Sequence, residues 1–474
     1  MSDTSLSARD VEAHPDYGTR AIPSEDGKKI DKLLDSHTEY EFGGPVGVVG
    51  IMAGFPILMY YLWICLVFYD GQLVFPHSLD DVGPFFGRMW EHIRVDASPN
   101  WYAWKVYGGL ILYELFLALW VPGYMQEGLP VPSLGYKTLM YKCNALGCVY
   151  ITWATAAVLH WTGVFRLTSV IDNFGHLMTV AMIVGFGVSF GAYFVTVATG
   201  KQIRMSGNFI YDVFMGACLN PRLGPIDLKM WLEVRIPWVI VFFMAVSGAC
   251  KQYETYGYVT PNMAFMCLAT WLYLNACAKG EECIPQTWDM FHEKWGFMVI
   301  FWNFAGVPFS YVYSVVYTAN HDPELYRFST FTYVLLFATL LTAYYFWDTS
   351  NSQKSRFKMQ SKGITEFRRT FPQLPRGTIT NPKYIQTAHG NRLLIDGWWA
   401  YSRKPNYVAD WIMSLTWGLC QGVCSPIPYF YSVFFIVVLI HRVGRDFERC
   451  AKKYGDDWAR YCGAVPAKFI PGVY

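Results

Sequence analysis

The sequence predicts an all-α polytopic membrane protein of about ten transmembrane helices, with its cations gathered in a carboxy-terminal, cytosol-facing half. Three observations lead there. The 474 residues are 53% hydrophobic, 18% aromatic and only 16% charged, against about 25% charged in soluble globular proteins. Apolar runs long enough to cross a bilayer, which takes about 20 helical residues, recur along the whole chain. Lys and Arg cluster in two stretches: seven lie in 351–376 (Lys354, Arg356, Lys358, Lys362, Arg368, Arg369, Arg376) against one acid, Glu366, and seven in 442–468. The positive-inside rule puts both on the cytosolic side. A net charge of +2 makes no global basic field, so nucleic-acid binding has no support.

Taken in order, residues 1–40 are polar and read as a disordered cytosolic tail without the apolar core of a signal peptide. Residues 41–474 form one membrane domain. Candidate spans fall at 46–69, 101–122, 145–166, 176–199, 232–250, 261–278, 296–318 and 330–348. The run 408–441 is too long for one span, and Ser425-Pro426-Ile427-Pro428 divides it, because proline lacks the N–H and clashes with the preceding turn. Gly44, Gly47, Gly50 and Gly54, like Gly187 and Gly191, have the spacing of small residues that let transmembrane helices approach closely. The twelve cysteines carry no CxxC pair and read as reduced, buried thiols. His160 reads as a packed interior histidine, and no metal site is predicted.

Polar clusters interrupt this plan. One is GNFIYDVFMGACLNPR, Gly207 to Arg222, whose Asn-Pro and glycines also suit an ordinary turn. Another is the end of the 261–278 span, WLYLNACAKGEE, where Tyr273 is followed by Glu281 and Glu282, with Asp289 beyond. A carboxylate at the bilayer centre costs about 2.5–3.5 kcal/mol, so these acids belong to a boundary or to an internal polar cavity. Lys354 and Lys358 stand one helical turn apart and can face one anion. LLIDGWWAYSRKPNYVAD, Leu393 to Asp410, sets Trp399 and Tyr407 beside Arg403, Asn406 and Asp410; flat rings beside cations suit a phosphorylated dinucleotide, and equally an interfacial belt. Arg442, Arg445, Asp446, Arg449, Lys453 and Tyr454 follow on the last helix. No HExxH, GxSxG triad, P-loop or GxGxxG after a strand is present.

The two stretches Gly207–Arg222 and Leu393–Asp410, with KYGDDWARYC and the closing FIPGVY, resemble the signatures of the sterol reductases over residues 39–474. Within that family, EYEFGGPVGVVG, KQYETYGYVTP, LNACAKGEE and PQTWDM are most similar to the fungal branch that reduces the C-24(28) side-chain double bond in the last step of ergosterol synthesis. The resemblance implies about ten helices in the endoplasmic reticulum membrane, a membrane-embedded sterol substrate, neighbouring sterol-synthesis enzymes as partners, and NADPH as hydride donor. It implies a cofactor pocket, mainly from 348–474, made by Lys354, Lys358, Trp399, Arg403, Asn406, Tyr407, Asp410, Arg442, Asp446, Lys453 and Tyr454. It further implies Tyr273 as proton relay, recharged by Glu282, Glu281 or Asp289. The chain departs from the signature at Lys358 (commonly Arg), Lys404 (His) and Asp396 (Ser). Alternatives are a C-14 or C-7 ring reductase, a membrane methyltransferase of the isoprenylcysteine type, and a structural sterol-sensing member.

Overall fold

A computed structural model describes residues 23–36, 40–364, 367 and 372–472. Residues 1–22 and 37–39 of the amino-terminal stretch, and Glu366, Arg368 and Arg369 of the basic linker, lie outside the described residues. Each sequence-predicted span is helical. The principal helices are α1 (Glu25–Ser36), α2 (Gly44–Phe68), α3 (Val82–Asp96), α4 (Trp101–Trp120), α5 (Ala145–Trp161), α6 (Phe174–Ala198), α7 (Phe209–Met215), α8 (Leu228–Tyr256) and α9 (Pro261–Lys279). An interrupted segment α10 (Phe297–Asn320), then α11 (Thr330–Gln360), α12 (Pro405–Leu419), α13 (Phe430–Tyr454) and α14 (Asp456–Ala464) complete them. Among the described residues, six segments are long and apolar enough to cross a membrane: α2, α6, α8, α10, α11 and one including α13.

Burial sorts these into two layers. The apolar windows of α8 and α10 are 72% and 83% buried, whereas those of α2, α6, α11 and the α13 segment are 22–39% buried. The first two form the bundle's axis and the others wrap it, leaving apolar flanks such as Val437 and Phe331 outward. The ends are set by local chemistry. Asn100, Asp227, Thr260 and Ser329 accept hydrogen bonds from the backbone N–H three residues on, capping α4, α8, α9 and α11. Gly257 ends α8 with φ +80°, a left-handed position that favours glycine. The division at Pro426–Pro428 occurs as expected, with a 3₁₀ turn at Ile427–Tyr429 between α12 and α13.

Three expectations change. Of the spaced glycines on α2 and α6, Gly50, Gly54, Gly187 and Gly191 do not pack, since a side chain there would meet nothing within 4 Å, and Gly44 and Gly47 meet only the preceding Tyr40–Phe42 stretch. Close approach occurs instead at Gly175, where a Cβ would lie 2.5 Å from Trp63, and at Gly248, 2.6 Å from Met263. Spacing marks small residues, but only the partner helix decides which of them it touches. Secondly, the chain is not purely helical. Antiparallel pairs β1 (Tyr124–Glu127) with β2 (Met140–Cys143), β3 (Arg222–Leu223) with β4 (Ile226–Asp227), and β5 (Tyr384–Gln386) with β6 (Arg392–Leu394) lie in the connections; strands of two to four residues are too short to set up a readable alternation. Thirdly, part of the stretch read as a disordered tail folds as α1.

Candidate active site

The site grows from the ends of the helices where the clustered Lys and Arg lie. α11 continues well past its apolar stretch to Gln360, so Lys354 and Lys358 are carried on a rigid helix and share one face. The β5–β6 hairpin, with Tyr384 opposite Leu394, delivers the chain to Gly397. That glycine has φ +59°, and a Cβ there would lie 2.5 Å from the Gln353 side chain. The tight turn seats Trp399 against α11, where its indole N–H donates to the Ser350 carbonyl (2.9 Å). α12 then begins at Pro405, in the first turn where a missing N–H costs nothing, and sets Asn406 and Asp410 one turn apart on one face.

Between these elements, the end of α9, the 280–291 loop and α13 lies a cavity of about 830 Å³. Of the sequence-predicted residues, Tyr273, Glu282, Asp289, Lys354, Lys358, Trp399, Arg403, Asn406, Tyr407, Asp410, Arg442, Asp446, Lys453 and Tyr454 line it. Eleven Lys and Arg face it against seven carboxylates, so its field favours an anion. The Lys354 ammonium sits over the Trp399 ring, 4.5 Å from the centroid. The Lys358 Nζ donates to the Gln286 carbonyl (2.9 Å). Arg442 pairs with Asp289 (2.8 Å), Lys404 with Asp446 (2.5 Å) and Lys453 with Asp31 (2.8 Å). Burial opposes ionisation of Asp289, but the Arg442 guanidinium outweighs it and holds the carboxyl below its usual range. Burial likewise opposes the charge on Lys404, and Asp446 with Tyr407 overcomes it, holding the ammonium above its ordinary pKa.

The deeper end is different in kind. The Tyr273 hydroxyl donates to Asp410 Oδ1 (3.0 Å) and lies 3.3 Å from Oδ2. The Tyr273 ring is held between Trp238 and Trp347, with centroids 4.1 and 5.0 Å away. Phe435, Val438 and Leu439 of α13 supply apolar lining. Asp410 was expected among cofactor contacts; the structure instead places its carboxylate on the tyrosine. An acid–phenol pair beside an apolar wall is equipped to protonate a greasy substrate.

Two predicted residues are otherwise engaged. Glu281 does not line the cavity: it is a closed ion pair with Arg235 (2.9 Å, both side chains 2% exposed) and accepts the Ala145 N–H (2.7 Å). Arg403 lines the cavity, but its donors go to the Pro466 carbonyl (2.9 Å) and the Cys462 sulfur (3.0 Å), clamping the carboxy-terminal segment to the wall. Glu282 accepts from the Tyr124 hydroxyl (2.7 Å). Lys404 entered the sequence reading only as a cation that departs from the signature, and that reading did not assign to the site Asn351, whose side-chain oxygen accepts from Asn406 (3.0 Å), or the buried pair Lys279–Asp348 (2.5 Å). The i, i+4 faces of α11 were the signal for Asn351; nothing local announced a pair joining α9 to α11. The Gly207–Arg222 signature lies elsewhere and acts as a brace, Asn220 donating to the Met290 carbonyl (3.1 Å) and so fixing the loop that carries Asp289.

The model of the "Ergosterol biosynthesis ERG4/ERG24 family" matches residues 36–474. The chain belongs to this family. It is 45% identical over 453 residues to Delta(24(24(1)))-sterol reductase erg4A of Aspergillus fumigatus, covering 95% of this chain and 96% of that protein. It is 44% identical to the Delta(24(24(1)))-sterol reductase of Gibberella zeae (94% and 74% covered). It is 33% identical to the Delta(14)-sterol reductase of Methylotuvimicrobium alcaliphilum (95% and 99% covered). The protein is a multi-pass membrane enzyme of sterol double-bond reduction.

Proposed function

We propose that the enzyme reduces the C-24(28) methylene double bond of a sterol side chain with NADPH, crossing the endoplasmic reticulum membrane about ten times. The observation that carries this reading is the two-ended cavity, cationic and wide at one end, with the Tyr273–Asp410 pair at the apolar other. Its volume of about 830 Å³ falls within the ~300–1,000 Å³ of cofactor and ligand sites. Asn406 Oδ1 is buried there without a hydrogen-bond partner among the described residues, an unmet acceptor suited to an amide or ribose donor. Four more helices, α4, α5, α9 and α12, added to the six apolar segments support the count of ten.

When bound, NADPH supplies a hydride to the substituted side-chain carbon. Lys354, Lys358 and Arg442 bind its phosphates, and Trp399 offers a flat face beside them. Tyr273 holds a proton at its Oη and delivers it to the terminal methylene carbon, leaving the positive charge on the more substituted carbon. Asp410 accepts the hydrogen bond that orients Oη and, once it has taken up a proton from water reaching the cavity, reprotonates the tyrosine oxygen. The flanking Trp238 and Trp347 rings exclude water and present π faces to the developing cation.

Microsomes given a 24(28)-methylene sterol and NADPH deuterated at the transferred position should yield a saturated side chain labelled at C-24. In D₂O with unlabelled NADPH, the label should move to C-28. Reduction of a C-14 or C-7 ring bond instead, or turnover without NADPH, would sink this reading.

A further inference from the structure

α1 lies ahead of the family-matched region, which begins at residue 36, yet it closes one side of the cavity. Ser24 precedes it, accepts the Gly27 N–H (3.0 Å), and anchors the helix start by donating to the Ala388 carbonyl (3.0 Å). Gly27 is buried so closely against the next loop that a Cβ would come 2.6 Å from the His389 carbonyl oxygen. This seating aims Asp31 inward. Its Oδ1 lies 2.8 Å from Lys453 Nζ and 3.1 Å from His389 Nε2, and its Oδ2 accepts from the Tyr136 hydroxyl (3.1 Å). The carboxylate is 4% exposed and ionised: burial opposes its charge, but His389 and Lys453 hold its pKa down to about 2.

Three groups from three separate segments thus converge on one buried anion, at the edge of a cavity where Lys354 and Lys358 have no carboxylate within ion-pair distance among the described residues. The arrangement fits a phosphate monoester better than a carboxylate. A dianion with three acceptor oxygens can engage an ammonium, an imidazole ring N–H and a phenol together. The His389 ring supports this, because its Nδ1 is buried without a hydrogen-bond partner among the described residues.

The grip on α1 is also light. It is a 12-residue helix, at the lower end of the ~12–15 residues below which isolated helices are marginal. Leu33 is 67% exposed, and Ile30 and Leu34 are only half-buried. We infer that Lys453, His389 and Tyr136 form a subsite for a terminal phosphate monoester, and that Asp31 of α1 fills it until the phosphate of an anionic cofactor takes its place. This rests on the cofactor reading above and adds a displaceable internal competitor to it.

The test uses the full-length enzyme in detergent, trypsin, and two probes: 2′,5′-ADP, which carries a phosphate monoester on the ribose 2′ position, and adenosine 5′-diphosphate, which lacks it there. Cleavage after Lys28, Lys29 and Lys32 should accelerate several-fold with 2′,5′-ADP and far less with adenosine 5′-diphosphate. Asp31→Asn should release the same cuts without any ligand and lower the NADPH KM about fivefold, as removal of a competing closed state requires. Gly27→Val, which unseats α1 by a clash with the His389 backbone and removes no subsite side chain, should do the same. Thermal stabilisation by 2′,5′-ADP with unchanged cleavage would overturn the inference alone, and so would a raised KM in both variants. Failure of either nucleotide to stabilise the enzyme would instead overturn the cofactor reading, and the subsite with it.

Discussion

Glu281 and Glu282 are neighbours in sequence and belong to opposite kinds of polar interior. Glu281 is in a sealed cluster with Arg235, whose guanidinium also bonds Asn144 and reaches the Cys148 sulfur (3.2 Å). There the pair satisfies itself, and neither side chain lines the cavity. Glu282 faces the open site, where charges do not balance: Lys354 and Lys358 have no carboxylate within ion-pair distance among the described residues. The difference separates polar groups that join helices from those that await a ligand. A buried pair is tolerated when its partners satisfy one another, whereas an uncompensated cation in a cavity persists where function retains it.

The sharpest way to test that division is at the deep end of the open site. Tyr273→Phe should lower turnover by about 10²–10⁴, the usual worth of a positioned acid, with little change in the NADPH KM or thermal stability. Retained turnover in microsomes would remove Tyr273 from the chemistry. Asp410→Asn should resemble it, since the amide keeps the shape but returns no proton.

The sealed cluster should respond in the opposite way. Glu281→Ala leaves Arg235 buried and uncompensated, which costs about 3–5 kcal/mol and should appear as a lowered melting temperature in detergent. Replacing both residues with Leu should recover most of that loss. A Glu281 variant of normal stability but lost activity would put this residue back among the catalytic group.

A smaller change is expected at the cationic end. Lys354→Ala removes a charge-assisted contact worth about 1.5–3 kcal/mol, so the NADPH KM should rise roughly tenfold or more. An unchanged KM would mean that the cofactor lies elsewhere.

The smallest effect concerns a lysine outside both regions. Burial, with Arg204 nearby, pushes the Lys294 ammonium down from 10.5 to about 8. Between those pH values the unfolded chain holds a proton that the folded chain lacks, so stability at this site rises with pH across that window. Wild type should gain about 2 kcal/mol relative to Lys294→Gln between pH 7.5 and 9.5, measured by thermal unfolding; a pH-independent difference would contradict the shift.

Much of the site was legible locally. Lys354 and Lys358 are one turn apart on any helix, and Asn406 and Asp410 likewise, so their shared faces followed from spacing. Trp399 beside the basic residues of the same stretch marked a wall of the cavity. Partners from distant segments were not legible. The family resemblance groups Asp410 with the cofactor residues, and only the fold shows that its carboxylate meets Tyr273, 137 residues away. Arg403 read as a phosphate ligand and turned out to clamp the carboxy-terminal segment. Gly50, Gly54, Gly187 and Gly191 had the right spacing and nothing against them, while Gly175 of the same α6 meets Trp63 of α2.

By itself, the sequence determined the membrane class, the places where helices begin and break, the side on which cations collect, and the family, because hydropathy, caps, prolines and long signatures are all properties of contiguous residues. Tertiary structure alone decided which of two adjacent glutamates is sealed and which faces the cavity, which carboxylate meets the tyrosine, and that a helix from the amino-terminal stretch supplies Asp31 to Lys453. Those are pairings across 46 to over 400 residues, and a pairing at that range depends on how helices pack against one another, which no window of neighbouring residues encodes.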